Sequence, residues 1–138
     1  NLNLVSTTEI IKSLADNLKA SKGSIVLFST VAVQQGFPNH AIVSSAKGAV
    51  EGLTLALAAE YAPNIRVNCI APSLTNSKIS NFLLKNEKMS ESIAKMHPLK
   101  RIGEGEDSAS FAKFLLTDES SWITGQVFGV DGGRSSVA

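Results

Sequence analysis

Residues 24–71, SIVLFSTVAVQQGFPNHAIVSSAKGAVEGLTLALAAEYAPNIRVNCIA, decide the fold. The stretch opens on Ser24-Ile25-Val26-Leu27-Phe28-Ser29-Thr30, a short and nearly continuous apolar run, as expected of a parallel strand covered on both faces. A loop at Gln34 to Asn39 follows. From about Ala41 to Tyr61 the pattern is helical, and it ends before Pro63, where proline disfavours further helix. Ile65 to Ala71 is a second strand of the buried type, closed by Pro72. Two such strands joined by a helix predict a right-handed parallel crossover.

Working outward, Val5 to Ala20 has apolar residues at Ile10, Ile11, Leu14, Ala15 and Leu18, a helical spacing that Lys22-Gly23 stops. Downstream, a polar region from Ser73 to about Arg101 carries helical spacing at Ile79, Phe82 and Leu83, then at Ile93 and Met96. Glu106 to Leu116 predicts another helix, with Phe111, Phe114 and Leu115 on one side. Gly125 to Val130 predicts a last strand, with Asp131-Gly132-Gly133 as its turn. The order is helix, strand, helix, strand, helix pair, strand, which specifies an α/β fold with a doubly wound parallel sheet. Three strands alone would leave long apolar edges, which natural sheets avoid. The chain also opens on Asn1-Leu2-Asn3-Leu4, without a methionine or a leader. Residues 1–138 are therefore expected to be the C-terminal half of a single domain, beginning at the helix before the strand that carries Thr30.

Composition narrows the function classes. Thirteen Lys and Arg against twelve Asp and Glu give a net charge of +1 over 138 residues, so nothing argues for a nucleic-acid partner. No uninterrupted apolar run approaches the ~18–20 residues of a membrane span. The one cysteine, Cys69, excludes an internal disulfide and fits a reducing, cytoplasmic compartment. Two histidines and one cysteine, scattered, match no metal-ligand spacing, and no metal is expected.

Four segments in register resemble the short-chain dehydrogenase/reductase family. They are Gly23 to Thr30, Ala46-Lys47-Gly48-Ala49-Val50-Glu51-Gly52-Leu53-Thr54, Ile65 to Pro72, and Pro98-Leu99-Lys100-Arg101-Ile102-Gly103 running on through Trp122-Ile123-Thr124-Gly125-Gln126 to Asp131-Gly132-Gly133. The resemblance implies a Rossmann-like domain and an NAD(P)-dependent oxidoreductase acting on a carbonyl or hydroxyl substrate. It also implies that the glycine-rich, cofactor-binding N-terminal half of that domain lies outside this chain. Gly103-Glu104-Gly105 follows no strand and precedes an acidic pair, so it does not replace a phosphate loop, and the chain by itself is expected to be inactive.

In the family a tyrosine exchanges the proton, and a lysine four residues later lowers its pKa and binds the cofactor ribose. A serine polarises the substrate oxygen, and an asparagine completes a relay. By resemblance Lys47 is the lysine, Thr30 takes the serine position, and Asn1 takes the relay position, with Asn3 as the alternative register. Pro72, Ser73, Thr75 and Ser77 belong to the loop that meets the nicotinamide carboxamide, with Ser73 where glycine is usual. The tyrosine position is held by Val43, which cannot ionise. His40, three residues earlier, is the candidate substitute acid/base, against a plainer role as a surface or capping residue. The resemblance thus leaves two readings: an impaired or atypical oxidoreductase, and a catalytically silent binding or scaffolding subunit.

Ser44, Gly48, Gly52 and Ala56 form a row of small residues at helical spacing. It suits packing on the chain's own sheet or a homo-oligomer, dimer or tetramer, through the helices at 5–20 and 41–61. The chain's own N-terminal half is a further expected partner, beside the small-molecule substrate. Glu87 and Glu91 interleave with the lysines between Asn76 and His97, so that stretch reads as a solvated lid. Met89, Met96 and Trp122 are expected to fill gaps or anchor packing.

Overall fold

The computed structural model describes residues 2–137. A π-helical turn at Leu2–Ser6 leads into α1 (Thr7–Ala20), followed by β1 (Ser24–Phe28), a short α2 (Ala32–Gln35) and the long α3 (Ala41–Tyr61). Then come β2 (Arg66–Pro72), the helix pair α4 (Asn81–Leu84) and α5 (Glu87–Lys95), α6 (Gly105–Leu116), a 3₁₀ turn at Asp118–Ser120, and β3 (Val127–Val130). The strands form one parallel sheet in the order β1-β2-β3, with Ile25 opposite Val67 and Ile70 opposite Phe128. The expected order of strands and longer helices is observed, but the short α2 takes Gln34 and Gln35 from the expected loop, and the element ends differ.

Alternation along the strands explains the two layers. Ile25, Leu27, Val67 and Cys69 face one side, where they form a single core with Ile11 of α1 and Val50, Leu57 and Ala58 of α3. On α3 the buried residues Val50, Thr54, Leu57 and Ala58 recur at the period of one helical face. The alternate residues meet α6 on the other side, where the Phe111 and Phe128 rings stand edge to face at 5.0 Å. Arg66 projects from β2 to the end of α6, donating to the Leu115 and Thr117 carbonyls at 3.1 and 3.0 Å and to the Ser120 hydroxyl at 2.8 Å. It satisfies carbonyls that the last helical turn leaves without intrahelical donors. Cys69 is buried in the first core, and burial pushes its thiol up to about 11, so it stays protonated at neutral pH.

Several expectations are corrected. Ser29 and Thr30 lie beyond β1, which ends at Phe28: the Ser29 N–H still bonds the Ile70 carbonyl at 2.8 Å and its hydroxyl meets the Glu51 carboxylate at 2.6 Å, while Thr30 starts the turn into α2. The last strand begins at Val127, since Gly125 takes a positive φ of 69° that breaks the extended run. Trp122 is 99% exposed and anchors nothing, and Met89 and Met96 are also exposed, since α5 lies on the surface. The 21-residue α3 does reach the mean hydropathy of a membrane span, 1.3, through its many Ala, Val and Leu residues. Counting uninterrupted apolar runs missed this because Lys47, Glu51 and Glu60 punctuate the helix.

The small-residue row divides in two. Ser44 donates to the Ala32 carbonyl at 2.9 Å, and a methyl at Gly48 would touch Val33 at 3.6 Å, so the first half packs on α2. Gly52 faces open space. The outer edge of β1 pairs with no strand among the described residues.

Candidate active site

The C-terminal ends of β1 and β2 gather most of the expected residues. Lys47 lies on α3 where the helix passes the end of β1, and its ammonium donates to the Phe28 carbonyl at 2.9 Å. Thr30 lies two residues beyond that carbonyl. Its hydroxyl accepts from the Ala32 N–H at 3.3 Å, which leaves the hydroxyl hydrogen to be donated. Lys47 thus reaches the end of β1, two residues before Thr30. Val43 is one turn before Lys47 on the same face and is 50% exposed. Beneath Lys47, Glu51 accepts from the buried Ser29 hydroxyl. Sequence reasoning did not single out this pair, whose members lie 22 residues apart.

His40 precedes α3 and offers no side-chain cap to it. Its ring is turned back: Nδ1 donates to the Pro38 carbonyl at 2.8 Å, and the ring meets the Phe37 edge at 5.6 Å. That bond fixes a hydrogen on Nδ1, so that in the neutral ring Nε2 is the acceptor. The expectation for Asn1 lies outside the described residues.

After β2, Pro72, Ser73, Thr75 and Ser77 follow in a loop held by its own side chains. Thr75 donates to the Ser73 carbonyl at 3.0 Å, Ser80 donates to the Thr75 carbonyl at 2.6 Å, and the Ser77 and Ser80 hydroxyls pair at 3.0 Å. A single parallel bridge joins Thr75 to Gly103. The loop borders a cavity of about 520 Å³ that also reaches His97, Arg101, Asp107, Phe128 and Asp131. His97 is buried and bonds Ser73 through Nε2 at 2.8 Å. Burial alone would raise the Asp131 carboxyl, but the Ser135 hydroxyl and the Ser135 and Gly133 amides hold it below the usual range. Gly133 in this turn has φ 86°, and a methyl there would come within 3.0 Å of Pro98, so only glycine fits without strain.

The cavity wall also carries an ion pair. Arg101 grips Asp107 with two nitrogens, at 2.6 and 2.7 Å, and the Glu104 N–H donates to the same carboxylate at 2.7 Å. The Arg101 hydrogen bonds first, then that amide, draw Asp107 down from 3.8 to about 2. A carboxyl lowered on folding stabilises the folded chain above its ordinary pKa and loses that effect as pH falls through the folded value. The protection of amides in the first turn of α6, relative to their intrinsic exchange rates, is therefore expected to fall between about pH 4 and pH 2, and Asp107→Asn to remove that pH dependence. An equal acid response in the variant would exclude Asp107 as its source.

His97, Asp131 and the Arg101–Asp107 pair were not expected from sequence. Ser73 in place of glycine was the one visible hint, and it gave no partner. No group of three metal-ligating side chains occurs among the described residues.

The sequence model described as enoyl-(acyl carrier protein) reductase matches residues 1–135. Tropinone reductase-like 3 of Erythroxylum coca is 36% identical over 135 residues, covering 98% of this chain and 52% of that protein. Dehydrogenase/reductase SDR family member 4 of Homo sapiens is 39% identical over 119 residues, covering 86% of this chain and 43% of that protein. Among solved structures, a short-chain type dehydrogenase/reductase from Mycobacterium ulcerans superposes with a TM-score of 0.90 at 34% identity, covering 97% of this chain and 50% of that one. A gluconate 5-dehydrogenase from Burkholderia cenocepacia, in complex with NADP and tartrate, gives 0.91 at 28% identity over 99% of this chain and 54% of its own. The chain spans about half the length of the curated relatives it matches.

Proposed function

The chain belongs to the short-chain dehydrogenase/reductase family, and from that premise we propose that it is the C-terminal half of an NAD(P)-dependent oxidoreductase acting on a carbonyl or hydroxyl substrate. The observation that carries this reading is the meeting of Lys47 with the end of β1, two residues before the Thr30 hydroxyl. The residues present fit one half of a dinucleotide: Lys47 keeps two N–H donors beyond its bond to Phe28, enough for a ribose diol. The backbone near Thr75 and the Ser77 hydroxyl suit the carboxamide. The phosphate-binding glycine turn is assigned to an N-terminal half that completes the sheet on the open edge of β1.

When bound, NAD(P) supplies or accepts the hydride. Thr30 holds the substrate oxygen, Lys47 orients the ribose, and Asn1 serves the relay. Val43 leaves the proton without its usual donor, with His40 Nε2 the substitute in the active reading. The ring of His40 leans on Phe37 and Pro38, an observation that favours a second reading, in which nucleotide binding is retained and turnover is lost. Ile10 and Leu14 on α1 and Leu55 on α3 are exposed on the same side of the sheet, and they support assembly of further copies through these helices.

The test is calorimetric titration of NAD⁺ and NADP⁺ onto a protein that carries the upstream half. Saturable binding is expected, and Lys47→Ala should weaken it by roughly 10- to 100-fold, the worth of a charge-assisted hydrogen bond. No binding of either nucleotide would overturn the reading.

A further inference from the structure

We propose that His97 is a positioning residue: with Ser73 it latches the lid formed by α4 and α5 to the loop that follows β2, fixing the backbone around Thr75 and Ser77. The role of that loop toward a cofactor rests on the function proposed above, whereas the latch rests on geometry alone.

His97 stands at the end of α5 and is 2% exposed. Its Nδ1 donates to the Ile93 carbonyl in the last turn of α5 at 2.8 Å, so the ring is carried by the lid. With the hydrogen on Nδ1, Nε2 is an acceptor, and it receives the Ser73 hydroxyl at 2.8 Å. The other side of the ring lies under the turn after β3, where a methyl on Gly132 would sit 3.6 Å from His97 Cβ. The Leu99 N–H bonds the Gly132 carbonyl at 3.2 Å just beyond. One buried ring therefore joins the lid, the loop and the last turn of the sheet.

This tie adds to others along the loop, where the Pro72 carbonyl accepts from the Val31 N–H at 3.2 Å and the Ser80 hydroxyl holds the Thr75 carbonyl. The loop's far end is held by Gly103, whose N–H donates to Leu74 and whose carbonyl accepts from Asn76. At Ser73 itself the loop borders the cavity of about 520 Å³. Ser73 is the only side chain of residues 72–77 that bonds to the lid's end across this gap. Glycine, usual at this position by resemblance, has no hydroxyl to offer, so the serine and the histidine form a pair that works only together. A buried ring nitrogen left without its donor is unfavourable, which makes the open arrangement costly while both residues are present.

Hydrogen exchange on the full chain tests this, comparing Ser73→Ala, His97→Asn and His97→Gln with the parent. Ser73→Ala and His97→Asn should raise exchange at residues 74–96 by about tenfold or more, with β1 and β2 unchanged. Gln at 97 can extend an amide oxygen toward Ser73 and should keep most of the protection, a rescue that a purely space-filling role would not produce. Unchanged exchange in the loop and lid, or a parallel rise in β1 and β2, would overturn the latch. NADP⁺ titration of Ser73→Ala in a protein with the upstream half separates the two ideas. Weaker binding is expected; unaltered binding would overturn the positioning of a cofactor loop. Binding absent from the parent as well would sink the proposed function, while the exchange result still decides the latch.

Discussion

Val43→Tyr, made in a protein that carries the nucleotide-binding half, is expected to raise turnover of carbonyl substrates by about 10²–10⁴-fold, the usual worth of a placed proton donor. Three features of this chain support so large an effect. Position 43 is one helical turn before Lys47, so a phenol there would lie beside the ammonium, whose charge favours the tyrosinate. Val43 is half exposed, so a larger ring displaces no core side chain. Thr30 already lies at the end of β1 with a hydroxyl hydrogen to donate. The outcome separates the two functional readings. A large gain from a nearly inactive parent identifies a silenced site. Substantial parent activity with no gain from tyrosine identifies another proton donor, and His40→Asn should then abolish it. Lack of activity in the variant, with nucleotide bound, would count against Thr30 and Lys47 as the remaining machinery.

How much of this was legible depends on how far apart in sequence the deciding partners lie. The unit from Ser24 to Ala71 could be read because its signals are local: continuous apolar runs for the strands, and a buried face at Val50, Thr54, Leu57 and Ala58 for the helix. Lys47 reaches the Phe28 carbonyl because a parallel crossover starts its helix near the end of the strand it leaves. Pairings between distant side chains were not legible in a local window. Ser29 keeps its backbone bond to the Ile70 carbonyl but gives its hydroxyl to Glu51, 22 residues on, and no window around Ser29 contains that carboxylate. Ser73 and His97, 24 residues apart, are joined only once α4 and α5 fold back over the sheet. Trp122 failed for another reason: aromatic residues are usually buried, but this one sits in a turn where Asn68 and Val67 bind residues 123–126 and leave the indole outside.

Those same neighbours make Asn68→Ala the substitution expected to cost the fold most among the polar positions, about 2–4 kcal/mol. Asn68 stands in the middle of β2 with no exposed surface. Its Nδ2 donates to the Ile123 carbonyl at 3.0 Å, and its Oδ1 accepts from the Gln126 N–H at 3.1 Å. With Val67, whose carbonyl accepts from Gly125 and whose N–H donates to the Thr124 hydroxyl, it leads the chain into β3. Alanine would leave one buried carbonyl and one buried N–H unpaired, each worth about 1–3 kcal/mol, and would open a small void. In urea unfolding the midpoint should fall by roughly 1–2 M without a change in slope. Asn68→Leu fills the void without restoring either bond, so it should recover little. Asn68→Asp keeps the acceptor for Gln126 but sets a carboxylate against the Ile123 carbonyl, and should fare worst at neutral pH. If leucine instead restores the parent midpoint, volume rather than hydrogen bonding governs this position, and the entry into β3 is held by Val67 and by the Cys69 N–H on the Gln126 carbonyl.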